Sequence, residues 1–314
     1  MQTLSSQRTG LVIARYNRNY AIEDTDGRIF QCVARKKLPP VVCGDLIEWD
    51  PADLESGVIH TLHRRKSLLS RPDTKGVLKP VAANVDQIIV VINIDSPYSI
   101  EDKYTNDMDL NSIVQVDRYL VAAETIGAKP MLVINKADQI GTAGLSLSRL
   151  TKKRYKNINY ETIYTSTKSG QGIPELRQHL SNRTSIFVGQ SGVGKSSLID
   201  KIIPDLDIRI DCLSAISNQG RHTTTTTTLY HLPDGGHLID SPGVREFGLW
   251  NMAQEKIAEG FIEFRNYQGM CKFRDCKHTG EPGCAIETAV STGKIEKIRL
   301  TSYREIIKSV SNQK

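Results

Sequence analysis

At 314 residues the chain exceeds what one hydrophobic core comfortably organises, so two or three domains are expected. With 39% hydrophobic and 24% charged residues it has the composition of a soluble globular protein, and no apolar run reaches membrane-spanning length, which excludes an integral membrane class. The net charge of +6 is a modest hint of a polyanionic partner. Six cysteines are too sparse for a disulfide scaffold, and the opening residues lack the pattern of a signal peptide, so a cytoplasmic protein is expected.

From Gly10 to about Leu62 short β runs alternate with turn signals. Leu11–Ala14, Tyr20–Ile22, Ile29–Val33, Leu46–Trp49 and Val58–Leu62 read as strands, with Asp26-Gly27 as a hairpin turn. Five strands in so short a stretch suit a small barrel, an OB-fold by preference, although an SH3-like barrel carries the same signature. The next stretch, His63-Arg64-Arg65-Lys66 through Arg71, Lys75 and Lys79, is basic. It reads equally as a strip that neutralises RNA phosphates and as a solvated linker.

From Val85 the pattern becomes alternating apolar strands and amphipathic helices, the mark of an α/β domain with a parallel sheet. Asp86–Ile92 is a strand, Ile113, Val116, Leu120 and Ala123 form one helical stripe that stops at Gly127, and Pro130–Ile134 is the next strand. That strand delivers Asn135-Lys136-Ala137-Asp138 at its carboxyl end, where such sheets bind ligands. The Asp138 carboxylate can accept from the N1–H and 2-amino group of guanine, the stem of Lys136 can cover the ring, and Asn135 can brace the loop. A second base-side loop, Ser166-Thr167-Lys168, follows the strand Tyr160–Tyr164, and Pro174 opens the next helix.

The apolar run Ser185–Val188 then leads into Gly189-Gln190-Ser191-Gly192-Val193-Gly194-Lys195-Ser196, with Ser197 behind it. A strand, a glycine-rich loop and a helix start in that order make a phosphate-binding P-loop. The glycines allow backbone N–H groups to turn toward phosphates, Lys195 places a charge on them, and the Ser196 hydroxyl is suited to Mg²⁺. Beyond it lie Gly220-Arg221-His222 and six threonines, of which Thr224 is the chosen Mg²⁺ ligand. After a hairpin at Pro233–Gly236, the strand His237–Ile239 ends in Asp240-Ser241-Pro242-Gly243, where Asp240 holds the Mg²⁺ shell and the Gly243 N–H meets the γ-phosphate.

Near the carboxyl end, Cys271, Cys276, His278 and Cys284 supply three thiolates and one imidazole, a closed tetrahedral set for one structural Zn²⁺. Helical patterns flank it at 253–264 and 295–310. Lys294, Lys297, Arg299, Arg304 and Lys308 make the last helix basic, either an RNA contact or a solvated face. Cys32, Cys43 and Cys212 read as core thiols.

The order of these motifs is unusual, because the guanine tetrad and Ser166 precede the P-loop and Asp240–Gly243 comes last, a circular permutation. With this order, with Ala83-Asn84-Val85-Asp86-Gln87 and with the switch Gly220-Arg221-His222-Thr223-Thr224-Thr225, the chain resembles nearly end to end the circularly permuted GTPases that assist small ribosomal subunit maturation, the small-subunit-dependent GTPase A family. The resemblance implies an OB domain on ribosomal RNA, GTP hydrolysis to GDP stimulated by the small subunit, and dissociation once hydrolysis occurs. The expected boundaries are 1–63 for the barrel, 64–84 for a basic linker, 85–248 for the GTPase domain and 249–314 for a mostly helical zinc-binding domain. A monomer is expected.

Where many GTPases carry a water-orienting glutamine this chain has Val244, so slow intrinsic hydrolysis is expected, with His222 as a catalytic candidate beside Lys195 and Asp240. His222 reads equally as an RNA contact. Two rival readings are an RNA-binding module that keeps GTP as a structural ligand and a GTPase acting on another RNA such as transfer RNA.

Overall fold

The computed structural model describes residues 8–16, 18–73, 77–94, 110–140, 142–203, 227–241 and 252–311. The strands and helices follow in order as β1 (Arg8–Tyr16), β2 (Asn19–Asp24), β3 (Ile29–Ala34), β4 (Leu46–Pro51), β5 (Ser56–Leu62), β6 (Leu68–Pro72), β7 (Leu78–Ala83), β8 (Gln87–Ile92), α1 (Leu110–Thr125), β9 (Lys129–Ile134), α2 (Thr142–Asn157), β10 (Glu161–Tyr164), α3 (Ile173–Leu180), β11 (Thr184–Val188), α4 (Lys195–Ile202), β12 (Thr228–His231), β13 (His237–Asp240), α5 (Gln254–Gly260), α6 (Ala285–Ser291) and α7 (Lys297–Ser311). The chain divides into two compact units, one of Met1–Ile88, Ile173–Val188 and Gly194–Glu246, the other of Ile89–Gly172, Gly189–Val193 and Phe247–Lys314.

In the first unit, β1 to β5 form a closed barrel in the order β1-β2-β3-β5-β4, with β4 returning to pair with β1. All pairs are antiparallel except β3 with β5, which are parallel. This is the strand order of an OB-fold and decides between the two barrels that the sequence left open. Alternation sends Val12, Tyr20, Ile22, Phe30, Cys32, Ile47, Trp49 and Ile59 to one interior, where the Phe30 and Trp49 rings lie 4.6 Å apart. Gly57 is required there, since a Cβ would sit 2.4 Å from the Trp49 ring.

The basic stretch after the barrel is structured. Arg65 reaches back to the fully buried Asp45 with two hydrogen bonds of 2.7 Å and donates a third to the Pro40 carbonyl, so this arginine closes a barrel loop. Strands β6 and β7 then pair antiparallel, an arrangement absent from the sequence reading, and beside them Lys79 pairs with Asp73 at 3.0 Å. The same unit carries β11 parallel to β13, β12 antiparallel to β13, and a single pairing of β12 with β1 at Thr228 and Ala14. The turn at 233–236 is the expected hairpin, with Gly235 and Gly236 at φ of 81° and 90°.

In the second unit, β9 and β10 are parallel and β9 lies beside β8, which is buried along its length. Helix α1 buries Ile113, Val116, Leu120 and Ala123, and Gly127 at φ 75° ends it while Ala128 N–H bonds back to the Ala123 carbonyl. Helices α5 and α7 pack on α1, and Gly260 allows the approach, since a Cβ there would lie 2.5 Å from Val121. Part of the charge on the basic last helix is turned inward. Arg299 is 1% exposed, is paired with Asp117 on α1 and bonds Glu263 at 2.6 and 3.2 Å. Arg304 pairs with Glu287, and Lys308 with Glu305 at 2.7 Å. Among the described residues no helix is long and apolar enough to cross a membrane.

Candidate functional site

The base-side loops lie in the second unit and are joined by Asn135. Its backbone N–H bonds the Ile92 carbonyl, its amide donates to the Val193 carbonyl at 2.9 Å, and its Oδ1 accepts from the Thr165 hydroxyl at 2.9 Å. One buried side chain therefore fixes the end of β9, the loop after β10 and the glycine-rich loop against one another. Lys136 takes a left-handed conformation at φ 57°, which turns the chain sharply into a short 3₁₀ turn that carries Asp138 to the surface. The buried Ser166 hydroxyl donates to Asp138 at 2.6 Å and itself accepts from the Ser169 N–H at 3.1 Å. Thr167 is half-buried and Lys168 exposed. Sequence reasoning missed Thr165, whose hydroxyl completes the Asn135 knot; its only signal was a polar residue at a strand end.

The glycine-rich loop runs from Gly189 to Gly194. Gly189, Gly192 and Gly194 have φ of 142°, 82° and 95°, conformations that a Cβ would strain. At Gly189 the demand is also steric, because a Cβ would lie 2.2 Å from the Val91 carbonyl oxygen. Val193 is buried and anchors the loop, while Gln190, Ser191 and Gly192 are exposed. Helix α4 begins at Lys195 with no side-chain cap before it; Ser196 and Ser197 are exposed in its first turn and Lys195 is half-buried.

In the first unit, Asp240 is exposed at the end of β13, and the neighbouring Ser241 accepts from the Thr227 hydroxyl at 2.9 Å. The expected His222, Thr224, Gly243 and Val244 lie outside the described residues, as do Lys75 and Cys212. Cys32 and Cys43 are buried thiols, and burial pushes Cys32 up to about 12.

Cys271, Cys276, His278 and Cys284 converge, each offering one ligand atom within 4.8 Å of the others. Nδ1 of His278 lies 3.6, 3.6 and 3.3 Å from the sulfurs of Cys271, Cys276 and Cys284. A tetrahedral ion with bonds of about 2.3 Å to sulfur and about 2.0 Å to nitrogen separates such atoms by about 3.6 Å, so the donor set fits a metal ion. The backbone of the loop draws these four side chains together. His278 takes φ 60°, Gly280 and Gly283 take φ of 125° and 76°, and the Lys272 N–H closes onto the Gly283 carbonyl at 3.0 Å. Glu281 ties it from within, accepting from the N–H groups of Lys277 and Thr279 at 3.0 and 2.7 Å. Helix α7 holds it from outside, as the Tyr303 hydroxyl and Arg304 Nε bond the carbonyls of Lys277 and His278 at 2.9 and 3.0 Å.

Comparison with known proteins agrees with this architecture. The sequence model of the RsgA GTPase family matches residues 62–250. The chain is 46% identical to the small ribosomal subunit biogenesis GTPase RsgA 1 of Vibrio vulnificus over 99% of its own length and 86% of that protein. It is 44% identical to the RsgA of Hahella chejuensis over 99% and 86% of the two chains. The crystal structure of YjeQ from Thermotoga maritima superposes with a TM-score of 0.78 at 32% identity, covering 97% of this chain and 99% of that one. The circularly permuted GTPase YloQ shares the fold, with a TM-score of 0.74 at 24% identity over 100% and 98%. The chain therefore belongs to the RsgA GTPase family, enzymes that hydrolyse GTP.

Proposed function

We propose that this protein binds the small ribosomal subunit, assists its late maturation, hydrolyses GTP to GDP and phosphate there, and then dissociates. The observation that carries the nucleotide reading is Asn135, whose one side chain bonds both Val193 of the glycine-rich loop and Thr165 beside the second base-side loop. In this reading Asp138 accepts from guanine, held in place by Ser166, and Lys136, Thr167 and Lys168 complete the base side. Adenine, which lacks the 2-amino donor and presents an acceptor at N1, is rejected by about 10⁴-fold on such a polar pair. Gly189, Gln190, Ser191, Gly192, Val193, Gly194, Lys195, Ser196 and Ser197 take the phosphates, with Gly243 on the γ-phosphate. Ser196, Thr224 and Asp240 hold Mg²⁺, which neutralises charge developing on the transferred phosphoryl group.

The cysteine and histidine set holds one structural Zn²⁺. Four protein donors leave no coordination position for water, so the ion stabilises the fold of the tail and takes no part in hydrolysis. The OB barrel, with the basic residues that follow it, lies on ribosomal RNA, and the protein works as a cytoplasmic monomer. The working division is a barrel over 1–63, a basic segment over 64–84, the GTPase domain over 85–248 and the zinc-binding region over 249–314.

Turnover of GTP and ATP, measured alone and then with purified small subunits, large subunits and transfer RNA, tests this reading. Slow GTP hydrolysis accelerated by small subunits alone supports it. Acceleration by transfer RNA, or nucleotide binding without turnover, overturns it. His222 is assigned to orient water, and His222→Ala hydrolysing GTP on subunits at the wild-type rate removes that role.

A further inference from the structure

Helix α2 has no part in either candidate site, yet its charge distribution is unlike that of any other helix among the described residues. Its sixteen residues include five basic side chains and no carboxylate. One of the five, Arg154, is turned inward, is 4% exposed and bonds Glu296 at 2.7 Å. The other four, Arg149, Lys152, Lys153 and Lys156, fall at the i, i+3, i+4 and i+7 spacing of a single helix face. Arg149, Lys153 and Lys156 are exposed, and Lys152 is half-buried with its Nζ 4.8 Å from the centre of the Tyr164 ring.

A helix face that serves only solvation interleaves the two signs. The chain does this elsewhere, pairing Lys256 with Glu259 on α5 and Lys308 with Glu305 on α7, both at 2.7 Å. Among the described residues none of the four outward α2 cations forms an ion pair with a carboxylate. Like charges at i, i+4 oppose helix formation by about 0.2–0.5 kcal/mol per pair, and this face contains two such pairs, Arg149 with Lys153 and Lys152 with Lys156. The helix dipole favours cations in the last turn and so accounts for Lys156, but Arg149 and Lys152 lie too far from the end to gain from it.

We infer that this face of α2 is a docking surface for the phosphate backbone of RNA. Arg149 to Lys156 span about 10 Å along the helix axis, the axial length of about three phosphates of one nucleic-acid strand. Four cations along one helix face match a partner recognised by its charge and shape. Among the described residues no large apolar side chain is exposed beside them to enter a lipid surface, since Tyr155 is fully buried and Leu150 is half-buried. The location links docking to the nucleotide. Lys152 rests on Tyr164 at the end of β10, and the chain runs on through Thr165 to Ser166, which holds Asp138. The inference rests on the proposed action at the small subunit and adds a contact separate from the barrel and the metal loop.

The test is the combined variant Arg149→Gln, Lys152→Gln, Lys153→Gln and Lys156→Gln, with glutamine chosen to keep helix propensity. Binding to purified small subunits in the presence of a non-hydrolysable GTP analogue is measured across a salt series, with GTP affinity and helical content as folding controls. The expected result is affinity weakened at least about 10-fold, a slope of log affinity against log salt shallower by about 2 to 3, and unchanged GTP affinity. Wild-type affinity and slope in the variant overturn this inference alone, whereas failure of the wild-type protein to bind small subunits overturns the functional reading with it. A second measurement does not depend on the fourfold change. A photo-crosslinker attached at Lys153→Cys is expected to mark ribosomal RNA on the bound subunit, and crosslinks to ribosomal protein alone, or none, overturn the assignment.

Discussion

Replacing Arg299 by methionine keeps most of the side-chain volume and removes the charge on which the buried contact of α1 with the carboxyl-terminal helices depends. The guanidinium is paired with Asp117, bonds both oxygens of Glu263 at 2.6 and 3.2 Å, and lies 4.5 Å from the centre of the Phe261 ring. Without it, Asp117 keeps the Tyr155 hydroxyl at 2.8 Å but loses its compensating charge while fully buried. Burial already pushes the Asp117 carboxyl up, against the pull of Arg299. Removing one member of such a buried pair costs about 3–5 kcal/mol, because the remaining charge is left uncompensated. Hydrogen exchange of the α1 and α7 amides reads this locally, and protection should fall by about two to three and a half powers of ten while the barrel amides are unaffected. Arg299→Met combined with Asp117→Asn should regain part of the loss, since the orphaned carboxylate is then gone. A fall of less than tenfold in the single variant would refute the reasoning.

Asn135→Ala should destabilise the protein by about 2–4 kcal/mol and weaken GTP binding at least tenfold, since the Val193 carbonyl and the Thr165 hydroxyl each lose a buried partner; wild-type GTP affinity in calorimetry would contradict this. Metal analysis should find one zinc per chain, and chelation or Cys276→Ser should remove exchange protection from 271–284 and the α6 amides while leaving the barrel intact. Protection that persists after the metal is gone would contradict the role given to it. Burial, reinforced by the nearby His231, holds His237 below the usual imidazole range, so the unfolded chain takes up a proton that the folded chain resists. Its contribution to stability is fully present above a pH of about 6.5 and is lost as pH falls through the lower folded value. His237→Gln should therefore flatten the decline of melting temperature between about pH 7 and 5, and an unchanged decline would count against it.

The parts of this fold that were legible in the sequence are those written locally. The β-prone runs at 11–14 and 29–33, the Asp26-Gly27 turn and the stripe Ile113, Val116, Leu120, Ala123 each fix an element from within a few residues. The glycine-rich loop and the Asn135 tetrad were legible because backbone geometry restricts which residue types fit. What was missed depends on distant partners. The β6–β7 pair contains Pro72, Pro80 and several cations, which read as irregular chain, and its pairing is visible only once the strands meet. Arg299 reads as one more surface cation, since nothing nearby in sequence announces Asp117, 182 positions away. The expectation of a solvated or RNA-facing last helix failed at that residue for this reason. Arg65 is similar, a member of a basic run whose charge is spent on Asp45.

The central claim is that Asp138 reads guanine through hydrogen bonds it accepts, and calorimetry of Asp138→Asn with GTP and xanthosine triphosphate tests it most directly. Xanthine carries an oxygen in place of the 2-amino group, so an amide that donates should exchange one preference for the other. The account predicts that the wild-type protein favours GTP and that the variant favours the xanthine nucleotide. A variant that keeps the wild-type preference for GTP would contradict it.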